Sequence, residues 1–276
     1  MKLPLFVVDA FTDTLFRGNP AAVCPLESWL PDATMQSIAA ENNQSETAFF
    51  VARAGHYELR WFTPTQEVNL CGHATLAAAF ILHTQMGTEG DALVFITRSG
   101  PLKATRSERG WTLDLPATQT TPYPIFDALG EALGDEPQSV RVAGEEDYVA
   151  LFETEAEIRA LKPRTHWMAA LDRKGVIVTA PGKPGSGVDF VSRYFAPGFG
   201  IPEDPVTGAA HAILTPYWSA RLGKTELHAR QLSARGGALV CELKGDRVWL
   251  TGQAILYAQG LLHLPDAAHP ALAASA

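Results

Sequence analysis

Three side chains carry the acid–base chemistry open to this sequence. Glu46 stands in "SETAFF", at the mouth of the apolar run Ala48-Phe49-Phe50-Val51. His73 follows a glycine in "LCGHAT", and Asp204 precedes "PVTGAAH". A carboxylate shielded from water by an apolar strand can take a proton from carbon and return it, as an enzyme that shifts hydrogen must. An imidazole beside it can orient substrate or share charge. Each residue also has a plainer reading. Glu46 reads as a solvated strand-edge charge, His73 as a satisfied core histidine, and Asp204 as a helix N-cap followed by proline.

Gly72 and Gly208 each open a strongly apolar stretch that reads as a helix, over residues 72–87 and 206–223. A glycine at a helix start leaves backbone N–H groups bare at the positive end of the helix dipole, which suits a carboxylate. The first helix is apolar nearly all round and is expected to be buried and central. The second contains Pro216, which is expected to kink it. His211 is expected to point outward one turn into that helix.

These stretches sit in a chain that repeats itself. "RWFTP" at residues 60–64 recurs as "RYFAP" at 193–197, an offset of 133. "RSGPLKATRSERGWTLDLP" from Arg98 recurs in pattern as "RGGALVCELKGDRVWLTGQ" from Arg235, an offset of 137. Both members of the second pair read as hairpins with a tryptophan in an alternating strand. The chain is therefore read as a duplicated α/β unit, cut at 1–122 and 123–276, with the last strand of the first half a candidate for exchange into the second. Two further helices are expected at 31–41 and 124–133, and a loose tail at 265–276. If the halves pack together, the loops at 67–75 and 201–211 meet in one cleft.

Composition narrows the function. The chain has 276 residues and a net charge of −8, and no lysine or arginine cluster that a nucleic-acid surface requires. No apolar stretch is long enough to span a bilayer. Three cysteines give no disulfide framework, so a cytoplasmic location is expected. The eight histidines lack a paired ligand spacing, and no phosphate-binding glycine loop is present. Neither a metal nor a nucleotide cofactor is expected.

"VDAF", "GNPAAV", "QSETAFF", "FTPTQEVNLCGHAT" and "EDPVTGAAH" fall in an order and spacing that resemble the PhzF-like isomerases of phenazine biosynthesis, within the diaminopimelate-epimerase-like fold. The resemblance implies an α/β (α+β) fold of two pseudo-symmetric halves, each a β-barrel-like sheet around a central helix. It implies a cofactor-independent isomerase acting on a small carboxylate substrate, and a homodimer. It assigns proton transfer to Glu46, supporting roles to His73 and Asp204, and substrate contacts to Asn19 of "GNP", Gly72 and Gly208. The phenazine enzyme has serine where this chain has Ala209, so a hydroxyl is missing from the substrate-binding set. Racemases of this fold use two opposed cysteines. Here Cys71 occupies one loop and Asp204 the other, which leaves an alternative reading as a racemase or epimerase of an amino or imino acid using Cys71 and Asp204. A metabolite-binding relative without catalysis is the third reading.

Overall fold

The computed structural model describes residues 1–264, so the tail expected at 265–276 lies outside the described residues. The chain divides into two compact units. The first holds Met1–Asp114 and returns for the segment from Thr251 onward; the second is Leu115–Leu250. The boundaries therefore fall near 114 and 250, where the sequence suggests 122.

The first unit runs β1 (Lys2–Ala10), β2 (Asn19–Leu26), α1 (Asp32–Asn42), β3 (Glu46–Arg53), β4 (His56–Phe62), β5 (Glu67–Val68), α2 (Gly72–Thr84), β6 (Ala92–Thr97), β7 (Gly100–Ser107) and β8 (Gly110–Pro116). The second runs β9 (Thr120–Tyr123), α3 (Asp127–Leu133), β10 (Ser139–Ala143), β11 (Asp147–Leu151), α4 (Glu155–Ala160), α5 (Thr165–Met168), β12 (Gly175–Pro181), β13 (Phe190–Ala196), β14 (Ile201–Asp204), α6 (Gly208–Leu222), β15 (Glu226–Gln231), β16 (Gly237–Lys244) and β17 (Arg247–Gly252). The C-terminal strand, Ala254–His263, closes the list as β18.

The pairing repeats in the two units. β1 and β2 are antiparallel, β2 and β3 parallel, β3 and β4 antiparallel, and β4 runs parallel to β6. The second unit repeats this as β10 with β11, β11 with β12, β12 with β13, and β13 with β15. The edge strand before each set is exchanged in sequence. β18, which follows the second unit, pairs with β1, and β9, which follows the first, pairs with β10.

Each unit packs its own central helix on its strands. α2 packs on β1, β2, β3, β7 and β18, and α6 on β15 and β16. Leu76, Ala77, Ala78, Ala79, Ile81 and Leu82 of α2 are buried, as its all-round apolarity requires. Full burial of a Leu or Ile side chain contributes roughly 1.5–3 kcal/mol. α6 continues on both sides of Pro216 as one helix. His211 lies inside it with 0% exposure, so the outward orientation expected for it is wrong. Its neighbours Ala210, Ala212 and Leu214 are buried too, and in that turn Ala209 is exposed instead.

α4 was not legible as a helix from apolar period, but its start is. Thr154 accepts from the Glu157 N–H while Glu157 accepts from the Thr154 N–H, a reciprocal cap. Among the described residues, no helix is long and apolar enough to cross a membrane.

Candidate active site

Four of the expected residues come together in the first unit. Asn19 begins β2 and pairs with Ala10. The tight approach depends on Gly18, whose φ is +67 and whose Cβ would meet the Ala10 carbonyl oxygen at 2.2 Å. Glu46 begins β3 beside Ala21 of the parallel neighbour. Gly72 and His73 form the first turn of α2, after Cys71 at the N-cap position. Asn19, Glu46, Cys71 and His73 are all buried, at 0, 9, 6 and 4% exposure. Glu46 is thus not a solvated edge charge.

His73 is the hub. Its Nε2 lies 3.0 Å from Glu46 Oε2, and the Asn19 amide nitrogen donates to its Nδ1 at 3.1 Å. Cys71 Sγ is 3.5 Å from the same Nδ1. The Ser45 hydroxyl donates to Asn19 Oδ1 at 3.0 Å. With a donor facing Nδ1, the neutral ring carries its proton on Nε2, beside Glu46. The charged ring needs the Asn19 amide turned over, so that Oδ1 accepts from Nδ1–H. The Ser45 hydroxyl serves both arrangements, because it can donate or accept.

Burial opposes charge on His73, but the Cys71 sulfur and the Glu46 carboxylate outweigh it and hold the imidazole well above its ordinary range. Burial itself, with the Glu46 charge, pushes the Cys71 thiol up to about 11. The thiol is therefore neutral near pH 7, and the charge that favours a protonated His73 there comes from Glu46.

The other expected residues lie in the second unit. Asp204 ends β14, Gly208 opens α6 and is buried, and Ala209 is exposed one residue on. The Asp204 carboxylate accepts from the Thr207 hydroxyl at 2.5 Å. A residue the sequence did not suggest holds this loop. Gln231 on β15, 1% exposed, donates to the Asp204 carbonyl at 2.7 Å and to Thr207 Oγ1 at 3.1 Å. Its Oε1 accepts from the Thr207 N–H at 2.8 Å. His211 Nδ1 faces the Thr207 carbonyl at 2.7 Å, and burial pulls its imidazole down to about 4, so it is neutral.

The duplication extends to the loops that set these helix starts. Arg60 grips Glu67 with two hydrogen bonds, both 2.7 Å. Arg193 grips Glu203 with two, of 2.8 and 2.9 Å. Each guanidinium also lies over a phenylalanine two residues on, Phe62 at 5.2 Å and Phe195 at 4.8 Å. Such forked pairs fix direction as well as distance. Both glutamates precede their helix glycine by five residues, a spacing visible in the sequence. The chemistry, however, is not duplicated. By that alignment His73 corresponds to Ala209. By strand register, Glu46 corresponds to Gly175, since Thr47 faces Phe62 as Val176 faces Phe195.

The sequence profile of the PhzC-PhzF phenazine biosynthesis-like proteins matches residues 8–260. The chain belongs to that family. It is 49% identical over 264 residues to an uncharacterized isomerase of Pseudomonas aeruginosa, covering 96% of this chain and all of the relative. The crystal structure of a PhzF family protein from Enterococcus faecalis is 46% identical, with a TM-score of 0.91 over 96% of this chain and all of that one. A probable proline racemase from Agrobacterium radiobacter shares the fold at 10% identity, with a TM-score of 0.64 over 98% of this chain and 95% of that one.

Proposed function

We propose that this PhzF-like chain is an isomerase that moves a proton between carbons of a small carboxylate substrate, with Glu46 as the proton-transferring group. The observation that carries this reading is the buried contact of 3.0 Å between Glu46 and His73 at the start of α2. Glu46 takes the proton from carbon and returns it at another position. His73 stays within reach of both states through its Nε2, and Asn19 and Ser45 hold its far nitrogen. In this reading Asn19 is a positioning residue, because its side chain is fully buried against His73. The N–H groups around Gly72 and Gly208 are proposed to hold carboxylate, and Asp204 to orient substrate. Ala209 offers no hydroxyl, so the proposal does not extend to the phenazine precursor. The reaction needs no cofactor.

The relatives named isomerases support the reaction class. The two-base racemase alternative is weaker on chemical grounds, since a thiol held up at about 11 is a poor proton acceptor near neutral pH. The test is deuterium uptake from solvent across a panel of small hydroxy and amino acids. With a substrate in hand, Glu46→Gln is expected to slow uptake by roughly 10²–10⁴-fold. Uptake by Glu46→Gln at the parent rate would remove Glu46 from the mechanism.

A further inference from the structure

We infer that Glu46, Cys71 and His73 form a binding site for one thiophilic divalent cation such as Zn²⁺, and that such an ion inhibits the chain. The three side chains offer oxygen, sulfur and nitrogen donors within 4.8 Å of one another. A tetrahedral zinc bound through bonds of about 2.0–2.3 Å sets its donors roughly 3.3–3.7 Å apart. Here Nε2 is 3.0 Å from Glu46 Oε2 and 4.0 Å from Cys71 Sγ, two sides within a few tenths of an ångström of that spacing, while the Glu46–Cys71 side, within 4.8 Å, closes by side-chain rotation.

A second observation points the same way. Glu46 Oε2 is buried and accepts no well-directed hydrogen bond among the described residues, although Nε2 is only 3.0 Å away. The oxygen lies off the ring N–H axis, so the two atoms do not satisfy each other. Both can bind one ion placed to the side of their line. The remaining parts are present. Turning the Asn19 amide lets its Oδ1 accept from Nδ1–H, which frees Nε2 as a ligand and fixes the ring, the usual arrangement behind a metal-bound histidine. The donor set of Cys, His and carboxylate selects zinc or cobalt over magnesium or calcium. Three protein ligands leave a fourth position for water.

Occupancy would tie up the Glu46 carboxylate and the His73 Nε2 lone pair together. The inhibition therefore rests on the isomerase reading above, while the binding does not. The ion is an inhibitor in this scheme, and the proton transfer proceeds without it.

The test is titration of the full chain with Co²⁺ under reducing conditions, followed by absorption spectroscopy. The expected result is a sulfur-to-cobalt charge-transfer band with tetrahedral visible bands, saturating at one ion per chain. Cys71→Ala should abolish the charge-transfer band and weaken binding by at least about 100-fold. His73→Gln should weaken binding similarly and keep a band only at high cobalt. Cys24→Ala and Cys241→Ala, which alter the other buried thiols, should change neither. Circular dichroism on each variant confirms that it is folded, and Cys71→Ser replaces Cys71→Ala if that variant is not. Absence of the band in the parent chain, or its persistence in a folded Cys71 variant, overturns the site. Bands as expected, in a chain whose deuterium uptake zinc leaves unchanged, would retain the site and reject the inhibition. Bands as expected with no uptake on any substrate would leave the site standing and count against the isomerase reading.

Discussion

Gln231→Leu measures how strongly one distant side chain holds the Asp204 loop. The glutamine is 1% exposed, and leucine fills much of its volume. The substitution removes the acceptor of the Thr207 N–H and a donor to the Asp204 carbonyl, bonds of 2.8 and 2.7 Å. A buried polar group left without a partner costs about 1–3 kcal/mol. Asp204 and Thr207 keep 8% exposure each, so water reaches them in part and the lower end applies. Two groups then give about 2 kcal/mol, less some tenths returned by the apolar leucine. The readouts are urea unfolding followed by tryptophan fluorescence and native-state exchange of the Thr207 amide. Loss of about 2 kcal/mol corresponds to roughly 30-fold faster exchange where that amide exchanges by global unfolding. Gln231→Glu keeps the acceptor but sets a buried carboxylate oxygen against the Asp204 carbonyl, and near neutral pH should cost more than Gln231→Leu. If Gln231→Leu unfolds within about 0.5 kcal/mol of the parent and the Thr207 amide keeps its protection, the positioning argument is wrong.

Asp147 gives a pH signature. Burial lifts its carboxyl to about 6, against a hydrogen bond from the Tyr194 hydroxyl that pulls it down. The folded chain thus holds a proton that the unfolded chain releases near its ordinary 3.8. Between those values stability falls as pH rises, by roughly 3 kcal/mol in all. Asp147→Asn should remove that fall, so the variant gains on the parent between about pH 4 and pH 7 in urea melts; equal pH dependence in both chains would refute the assignment. Asn19→Leu should cost roughly 2 kcal/mol, from the lost donor to His73 Nδ1. Its imidazole nitrogen shifts, read by NMR at a pH high enough for the ring to be neutral, should show a mixture of tautomers, and Asn19→Gln should restore part of the Nε2–H form. Unchanged shifts in Asn19→Leu would show that Asn19 does not set the ring.

Much of the fold was legible because the duplication wrote each feature twice. The paired "RWFTP" and "RYFAP" segments both became strands followed by a clamped loop and a central helix. The paired segments from Arg98 and Arg235 became successive strands, β7 with β8 and β16 with β17. Local signals also placed α1 and α2 within a few residues. What escaped was non-local. Gln231 is 27 residues from Asp204, on a strand whose alternation marks it only as inward-facing. The burial of His211 follows from the sheet around α6, since nothing in "GAAHAIL" sets its histidine apart from a surface one. The contact between His73 and Glu46 spans 27 residues and three intervening strand ends. Its residue types were readable, but its distance was not. The termini of the units escaped for a related reason: strand pairing between β1 and β18 links residues at opposite ends of the chain.

That last pairing imposes an order on synthesis. β1 is made first, yet its outer neighbour β18 is made only after every residue of the second unit. The second unit is a continuous segment and has β9 in hand before β10 emerges, so it can close as soon as it leaves the ribosome. The first cannot. Until the final strand arrives, β1 presents an unpaired edge, the kind of surface on which nascent chains of one message associate. The hydrogen bonds between Met1 and Leu264, at 2.7 and 3.0 Å, are the last stitch of that closure. A chain stopped short of residue 254 would carry Glu46 and His73 in a unit with its sheet still open, and a permuted chain joined across residues 1 and 264 would remove the wait.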